Sequence, residues 1–272
     1  MTDTRMTDPE TSVEPSPNIT DEPLMPVASG PALAFTDVSK TFPDGTRALD
    51  RTSFAVGPGE FVTVVGPSGC GKSTLLRIAS GLERPTTGSV TVDRTSLGYV
   101  FQDATLLQWR TVRSNVGLFA ELDKMPPADR QRRVAECLEL VGLGGFEDKY
   151  PKQLSGGMRM RASLARSLVM EPDVFLFDEP FGALDEITRE RLNDELLGLF
   201  QRKAFGSLFI THSIYEAAFL STRVLVMSAR PGRIVASYDV PFDYPRSHDL
   251  RFDPEFAALT GDISRALRGE SP

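Results

Sequence analysis

Gly66-Pro67-Ser68-Gly69-Cys70-Gly71-Lys72-Ser73 fits the pattern G-x-x-x-x-G-K-[ST]. Before it runs Phe61-Val62-Thr63-Val64-Val65, an apolar, β-branched run that predicts a buried strand. After it, Thr74-Leu75-Leu76-Arg77-Ile78-Ala79-Ser80 places apolar residues at helical spacing. In that context each residue type has a task. Glycines let backbone N–H groups turn inward and approach a phosphate closely. A helix starting there aims the positive end of its dipole at the same point. Lys72 supplies a mobile point charge for β- and γ-phosphates, and the Ser73 hydroxyl a hard oxygen for Mg2+. The bland alternative is a Gly-rich strand-to-helix turn with an incidental lysine; a chance match to the pattern arises roughly once in a hundred sequences of this length, and the strand-to-helix context makes it rarer.

Working outward, the 272 residues are 40% hydrophobic and 25% charged, an ordinary globular composition long enough for one large or two small domains. Net charge is −7. A protein that binds nucleic acid by neutralising phosphates would usually be basic, so no nucleic-acid partner is expected. The two cysteines, Cys70 and Cys137, suggest neither a disulfide framework nor a zinc site, and fit a reducing cytoplasm. No apolar run approaches the length of a membrane span, and the acidic, polar N-terminus is no secretory signal. Residues 1–30, rich in Asp, Glu, Pro, Ser and Thr and without periodicity, read as a disordered tail; Met6 offers a second start.

Leu33-Ala34-Phe35-Thr36-Asp37-Val38 reads as the first strand and Lys40-Thr41-Phe42-Pro43-Asp44-Gly45 as a turn. Phe42 either stacks on a planar base or caps the core at a strand end. Gly81 stops the helix behind the octet. Residues 89–93 and 98–101 read as short strands, and Gln102 follows the second. An amide there reaches a Mg2+ or its water, or is simply a surface glutamine. Residues 103–169 change character and read as a small helical insert. A helix over 128–141 puts Val134, Cys137, Leu138 and Val141 on one face, which makes Cys137 a core residue rather than a reactive one. The only tryptophan, Trp109, lies in Leu106-Leu107-Gln108-Trp109-Arg110-Thr111-Val112, either a docking surface or core packing.

Ser155-Gly156-Gly157 precedes the helical pattern Met160, Leu164, Ala165, Leu168. It is a helix N-terminus open to an anion, or an ordinary serine cap. Asp173-Val174-Phe175-Leu176-Phe177 reads as a parallel strand buried on both faces, ending in Asp178-Glu179-Pro180. Carboxylates at the carboxyl end of such a strand lie where ligands bind in open α/β sheets. Two adjacent acids beside apolar residues are costly without a cation. The economical assignment has Asp178 in the Mg2+ shell and Glu179 facing a water; a solvated acidic turn is the alternative. Beyond Phe181-Gly182-Ala183-Leu184-Asp185, a helix turns Leu192, Leu196, Leu197 and Phe200 inward. Ser207-Leu208-Phe209-Ile210-Thr211 is the next strand, with His212 at its end, placed to donate to a γ-phosphate; His248 has no assigned role. Residues 223–227 and 232–236 read as a closing hairpin and 254–268 as a weakly amphipathic helix.

The order of these features resembles an ABC transporter ATPase over residues 33–233: Phe42, the loop at 66–73, Gln102, Leu154-Ser155-Gly156-Gly157, Asp178-Glu179, Ala183-Leu184-Asp185 and His212. The Ser-Gly-Gly segment is the specific element. Within that superfamily the chain is similar to the nitrate/sulfonate/taurine importer group, through Leu106-Leu107-Gln108-Trp109, Leu154-Ser155-Gly156-Gly157-Met158-Arg159, Glu179-Pro180-Phe181-Gly182-Ala183-Leu184-Asp185 and Arg230-Pro231-Gly232-Arg233-Ile234.

The resemblance implies an α/β P-loop NTPase fold, with a parallel-sheet core, an antiparallel β-subdomain and a helical subdomain. It implies an ATPase domain over 31–240, with the helical insert at about 103–169, and a C-terminal extension at 241–272. ATP and Mg2+ are the implied ligands, and import of a small anionic solute the implied work. Phe42 would stack adenine. Gly66, Pro67, Ser68, Gly69, Cys70, Gly71, Lys72, Ser73 and Thr74 would bind phosphates and Mg2+, with Lys72 also acting in catalysis. Gln102 would sense the γ-phosphate, touch the metal and couple to the permease. Ser155, Gly156 and Gly157 would reach the ATP held by the other subunit. Asp178 would support Mg2+, Glu179 activate water, Asp185 bridge subunits and His212 stabilise the γ-phosphate. The implied partners are a second copy, head to tail, integral membrane permease subunits and, through them, an extracytoplasmic solute-binding protein. That sets the protein on the cytoplasmic face of the inner membrane, as a peripheral subunit.

Three positions depart from the family pattern. Met160 stands where Gln is usual and is expected to alter contacts across the dimer; Ser213 replaces the Asp after the His; the segment between Asp93 and Tyr99 is short. None removes a phosphate, metal or base residue, so turnover is expected. A soluble ABC ATPase for DNA repair or translation would carry coiled-coil or zinc insertions, or two cassettes. A nucleotide-switched regulatory module would not need Glu179 and His212, and the Ser-Gly-Gly segment disfavours a P-loop kinase.

Overall fold

The apolar runs and the mixed runs separate into two sheets. The computed structural model describes residues 30–269, so all but the last residue of the tail predicted at 1–30 and the last three residues of the C-terminal extension lie outside the described residues. β1 (Leu33–Thr41) pairs antiparallel with β2 (Arg47–Val56). Beyond β3 (Phe61–Val65) and α1 (Lys72–Ala79), β4 (Thr87–Val92) returns to the other edge of β1. This three-stranded sheet, order β2-β1-β4, covers one face of the core. β1 continues through Lys40 and Thr41, which read as turn in sequence, because Lys40 is held by Glu83 at 2.6 Å and by the Arg84 carbonyl at 2.7 Å.

β3 belongs to the second sheet, with β5 (Leu97–Val100), β6 (Val174–Asp178), β7 (Gly206–Thr211) and β8 (Arg223–Met227), all parallel. β9 (Ile234–Asp239) closes the edge antiparallel to β8. The order is β5-β6-β7-β3-β8-β9. Every residue of β3 and β7 is buried, as runs without polar alternation require. The short 93–99 segment has a local cause: Asp93 accepts the Thr95 N–H at 2.9 Å to cap one 3-10 turn, which leads straight into β5.

Between β5 and β6 lie α2 (Val112–Val116), α3 (Leu118–Leu122), α4 (Pro127–Leu140) and α5 (Gly156–Leu168). Their buried faces, including Val116, Ala120, Val134, Leu138, Ala162 and Ala165, form one core with the neighbouring sheet. Cys137 is buried there as expected, and burial pushes its thiol up to about 11. Met160 is also only 5% exposed and packs inward. α6 (Glu186–Lys203), α7 (Ile214–Leu220) and α8 (Pro254–Leu267) complete the molecule. Arg246 ties the C-terminal segment to α7, donating to the carbonyls of Ala218, Phe219 and Ser221 at 3.1, 2.8 and 2.9 Å. His248 contributes to the same packing, stacked on Phe219 and 2.7 Å from Asp194.

Candidate functional site

Five parallel strands end on one edge, and sequence motifs sit where they end. Gln102 follows β5, Asp178 and Glu179 close β6, His212 follows β7, the octet follows β3, and Ser228 to Arg233 follow β8. With the order β5-β6-β7-β3-β8, residues far apart in sequence become neighbours along that edge, the usual ligand position in open α/β sheets.

The octet forms a loop into α1. Gly71 caps the helix with φ +112°, and a Cβ there would fall 2.7 Å from the Ala48 carbonyl, so only glycine fits between the loop and β2. Lys72 is 5% exposed; its ammonium donates to the Gly66 carbonyl at 2.8 Å and the Pro67 carbonyl at 3.1 Å, and lies 3.7 Å from Glu179. Phe42, half-buried, lines a cavity of about 260 Å³ together with Ser68, Gly69, Gly71, Lys72, Ser73, Thr74 and Glu179. Of its two sequence readings, the cavity position favours a face offered to a planar ligand. A roomier cavity of about 550 Å³ opens at the amino ends of β6 and β7, among Val174, Phe175 and Phe205, away from these groups.

Ser73 Oγ donates to Asp178 Oδ1 at 2.9 Å, and Tyr99 OH reaches Oδ2 at 3.4 Å. Burial pushes the Asp178 carboxyl above its ordinary value, against the pull of the Ser73 hydrogen bond. Tyr99 is also raised by burial, with Asp178 adding to it. A hydroxyl and one carboxylate at this separation fit Mg2+, which takes few protein oxygens and fills its octahedron with waters and phosphates. Among the described residues there is no cluster of three metal-ligating side chains, and none is required for such an ion.

Glu179 has φ +45°, a left-handed backbone that costs a non-glycine residue about 1–3 kcal/mol. Its amide is anchored on the Ile210 carbonyl at 3.0 Å. That geometry aims the carboxylate at both Lys72 and His212, whose Nδ1 stands 3.1 Å from Oε2. A carboxylate only accepts, so Nδ1 is the donor.

The other predicted residues lie elsewhere. Gln102 is exposed beyond β5. The adjoining loop is held by the buried Arg166 of α5, which donates to the Thr105 carbonyl at 2.9 Å and the Ala104 carbonyl at 3.2 Å. Ser155 caps α5, accepting the Met158 N–H at 3.2 Å; Ser155 and Gly156 are exposed, Gly157 is buried, and none of the three lines the Phe42 cavity. Asp185 caps α6 by accepting the Thr188 N–H at 3.0 Å, and that backbone bond holds its carboxyl below the ordinary value. Ser213, despite its departure from the family, still caps α7 by accepting the Glu216 N–H at 3.2 Å. Trp109 is 73% exposed, which excludes core packing. Its loop is braced by Asn115, whose side chain accepts the Leu107 N–H at 2.7 Å and donates to the carbonyls of Leu107, Arg110 and Thr111.

Sequence reasoning gave no site role to Tyr99, Thr46, Ala48 or Arg230. The first touches Asp178, and the other three line the Phe42 cavity. A signal existed for Arg230, which lies in a segment similar to the importer group, but nothing local tied it to the octet.

Residues 49–182 match the family described as ABC transporter. A putative ATP-binding protein of Brucella abortus is 42% identical, with 89% of this chain and 95% of that protein covered. The taurine import ATP-binding protein TauB of Rhizobium johnstonii is 43% identical over 81% of this chain and 89% of its own length. Among solved structures, a dimeric ATP-binding cassette in a post-hydrolysis state bound to ADP and Pi superposes with a TM-score of 0.69 at 30% identity, covering 78% of this chain and all of that one.

Proposed function

This chain belongs to the ABC transporter family of ATPases, and from that membership we propose that it powers import of a small anionic solute of the nitrate, sulfonate or taurine type through a membrane permease. The observation that carries the reading is the His212–Glu179 pair at 3.1 Å, set beside Lys72 where β6, β7 and β3 end. The working unit is the domain at 31–240 with its helical insert at 103–169.

Glu179 takes the proton of the attacking water, and His212, paired with it through Nδ1, stabilises the γ-phosphate. A positioned base of this kind adds roughly 10²- to 10⁴-fold, and charge neutralisation with alignment supplies most of the rest. Ser73 and Asp178 hold Mg2+, which when bound offsets the charge of the β- and γ-phosphates. Phe42 stacks the base and the amides and Lys72 of the octet hold the phosphates. Gln102, exposed where β5 ends beside β6, is assigned to reach the metal shell and the γ-phosphate once nucleotide is bound.

The exposed Ser155-Gly156 tip lies outside its own chain's cavity, so we assign it to the ATP of a second copy. A two-fold axis makes both sites equivalent, and Asp185 crosses between subunits. The permease docks around Trp109: Arg110 pairs with Glu121 at 2.8 Å, joining that loop to α3, where Phe119 and Leu122 are exposed. An exposed apolar patch of this kind marks a partner surface. The subunit then sits peripherally on the cytoplasmic face of the membrane, and a solute-binding protein outside delivers the cargo. The carboxyl-terminal extension at 241–272 is an addition to the ATPase domain.

The test is assembly around trapped nucleotide. Glu179→Gln with ATP and Mg2+ should form a dimer by light scattering, with phosphate release nearly abolished; Ser155→Arg in the same background should stay monomeric. A hydrolysis-blocked protein that never pairs, or full turnover by Ser155→Arg, would end the reading.

A further inference from the structure

Residues 228–233, Ser-Ala-Arg-Pro-Gly-Arg, follow β8, the strand beside β3, and so rise from the same edge of the sheet as the phosphate loop. The turn is fixed on two sides. Gly232 donates its N–H to the Ala48 carbonyl at 2.9 Å, and its own carbonyl accepts the Asp50 N–H at 2.9 Å. A Cβ at Gly232 would stand 2.1 Å from the Cys70 carbonyl oxygen, so the backbone of the turn lies directly against that of the loop. Ser228 closes the turn from within, donating to the Pro231 carbonyl at 3.2 Å and accepting the Arg233 N–H at 3.2 Å.

This anchored turn presents Arg230. Its Nε donates to the Gly69 carbonyl at 3.0 Å, and an Nη lies 3.3 Å from where a Cβ of Gly69 would stand. The side chain lines the same cavity as Phe42, Ser68, Lys72, Thr74 and Glu179. Asp44, in the turn that carries Phe42, has its carboxyl lowered chiefly by the Thr46 backbone hydrogen bond, with Arg230 a smaller contributor. Arg230 therefore stands near both the base-stacking turn and the phosphate loop. Among the described residues no carboxylate lies within ion-pair distance of it. Of the five N–H donors of an arginine, one is engaged on Gly69, which leaves the planar Nη fork to a ligand.

We propose that Arg230 is a nucleotide-binding residue whose guanidinium takes the phosphate chain from the Gly69 side of the cavity, in addition to Lys72 and the loop amides. The inference rests on the ATP-site reading above. A planar fork matches two phosphate oxygens at once, which a lysine ammonium does not, and its charge is permanent. Its anchored turn sets the guanidinium before nucleotide arrives, so little freedom is lost on binding.

The experiment is titration of the full-length protein with ATP and with ADP in the presence of Mg2+, for wild type, Arg230→Ala and Arg230→Lys, alongside melting curves without nucleotide. Arg230→Ala should raise the Kd for both nucleotides about tenfold, the size of one charge-assisted contact. Arg230→Lys should recover part of the loss, added salt should narrow the gap, and the melting temperature without nucleotide should not move. Equal affinity for wild type and Arg230→Ala overturns the proposal while leaving the ATP site standing. A loss that lysine does not recover, with a lowered melting temperature, overturns it by making Arg230 a brace for the turn. A wild-type protein that binds no ATP takes down both readings.

Discussion

Ser73 Oγ and Asp178 Oδ1 share a hydrogen bond of 2.9 Å, joining the first turn of α1 to the end of β6 across 105 positions of sequence. The bond sets a hydroxyl and a carboxylate side by side, and Tyr99 steadies the second carboxylate oxygen from β5. Three strands and one helix must be in place before this pair exists, so the metal position belongs to the folded chain and to no short segment of it.

Asp178→Asn keeps the shape of the side chain and removes its charge. The Mg2+-dependent part of ATP affinity should fall about 10–100-fold, while metal-free nucleotide binding holds. Titrations with Mg2+ and with chelator measure the two. An unchanged Mg2+ dependence would take Asp178 out of the metal site.

Phe42→Ala removes the ring from the cavity wall. Base stacking on an aromatic side chain is worth about 1–3 kcal/mol, so the Kd for ATP should rise roughly 5- to 150-fold, and Phe42→Trp should keep most of the affinity. If alanine binds ATP as the wild type does, the ring serves packing alone.

Trp109→Ala deletes an exposed indole from a loop that Asn115 braces without its help. Stability should stay within about 0.5 kcal/mol and ATP affinity should not change. Co-purification of permease subunits should drop. Retention of the permease at wild-type yield would move the docking surface elsewhere.

Glu216 is buried, with one carboxyl oxygen on the Thr211 hydroxyl and the other, like Asn193 Oδ1, without a partner. Burial raises its pKa; Thr211 at the end of β7, Arg189 and Asn193 from α6, and His212 just beyond β7 pull the other way. Between the ordinary carboxylate value and the raised one, the folded protein binds more protons than the unfolded chain. Its contribution therefore falls as pH rises through that window. Glu216→Gln still accepts from Thr211 and brings an amide N–H toward Asn193. It should melt higher than wild type at pH 8, by about 2–4 °C for each kcal/mol gained, with the difference shrinking toward pH 4.5. Parallel melting curves across that range would leave Glu216 without a titration linked to folding.

Local chemistry made much of the protein readable in advance. The octet, the mostly apolar runs of β3, β6 and β7, and the cap at Ser155 are written in contiguous residues, because hydrogen-bond caps, glycine conformations and burial on both faces of a strand are properties of a few neighbours. β2 was not readable: bulges break its register with β1 and blur its alternation. α7 was not readable either, since seven residues carry too little periodicity and its start depends on the Ser213 cap. The same limit applied to single side chains with two sensible fates. Phe42 faces the cavity, Trp109 faces outward and Met160 faces the core, and each outcome depends on what the rest of the chain brings alongside. Tyr99 on Asp178 and Arg230 on Gly69 arise for the same reason: chain order places β5 and β8 far from β6 and β3, and it is hydrogen bonding between strands in the order β5-β6-β7-β3-β8 that sets their ends next to one another.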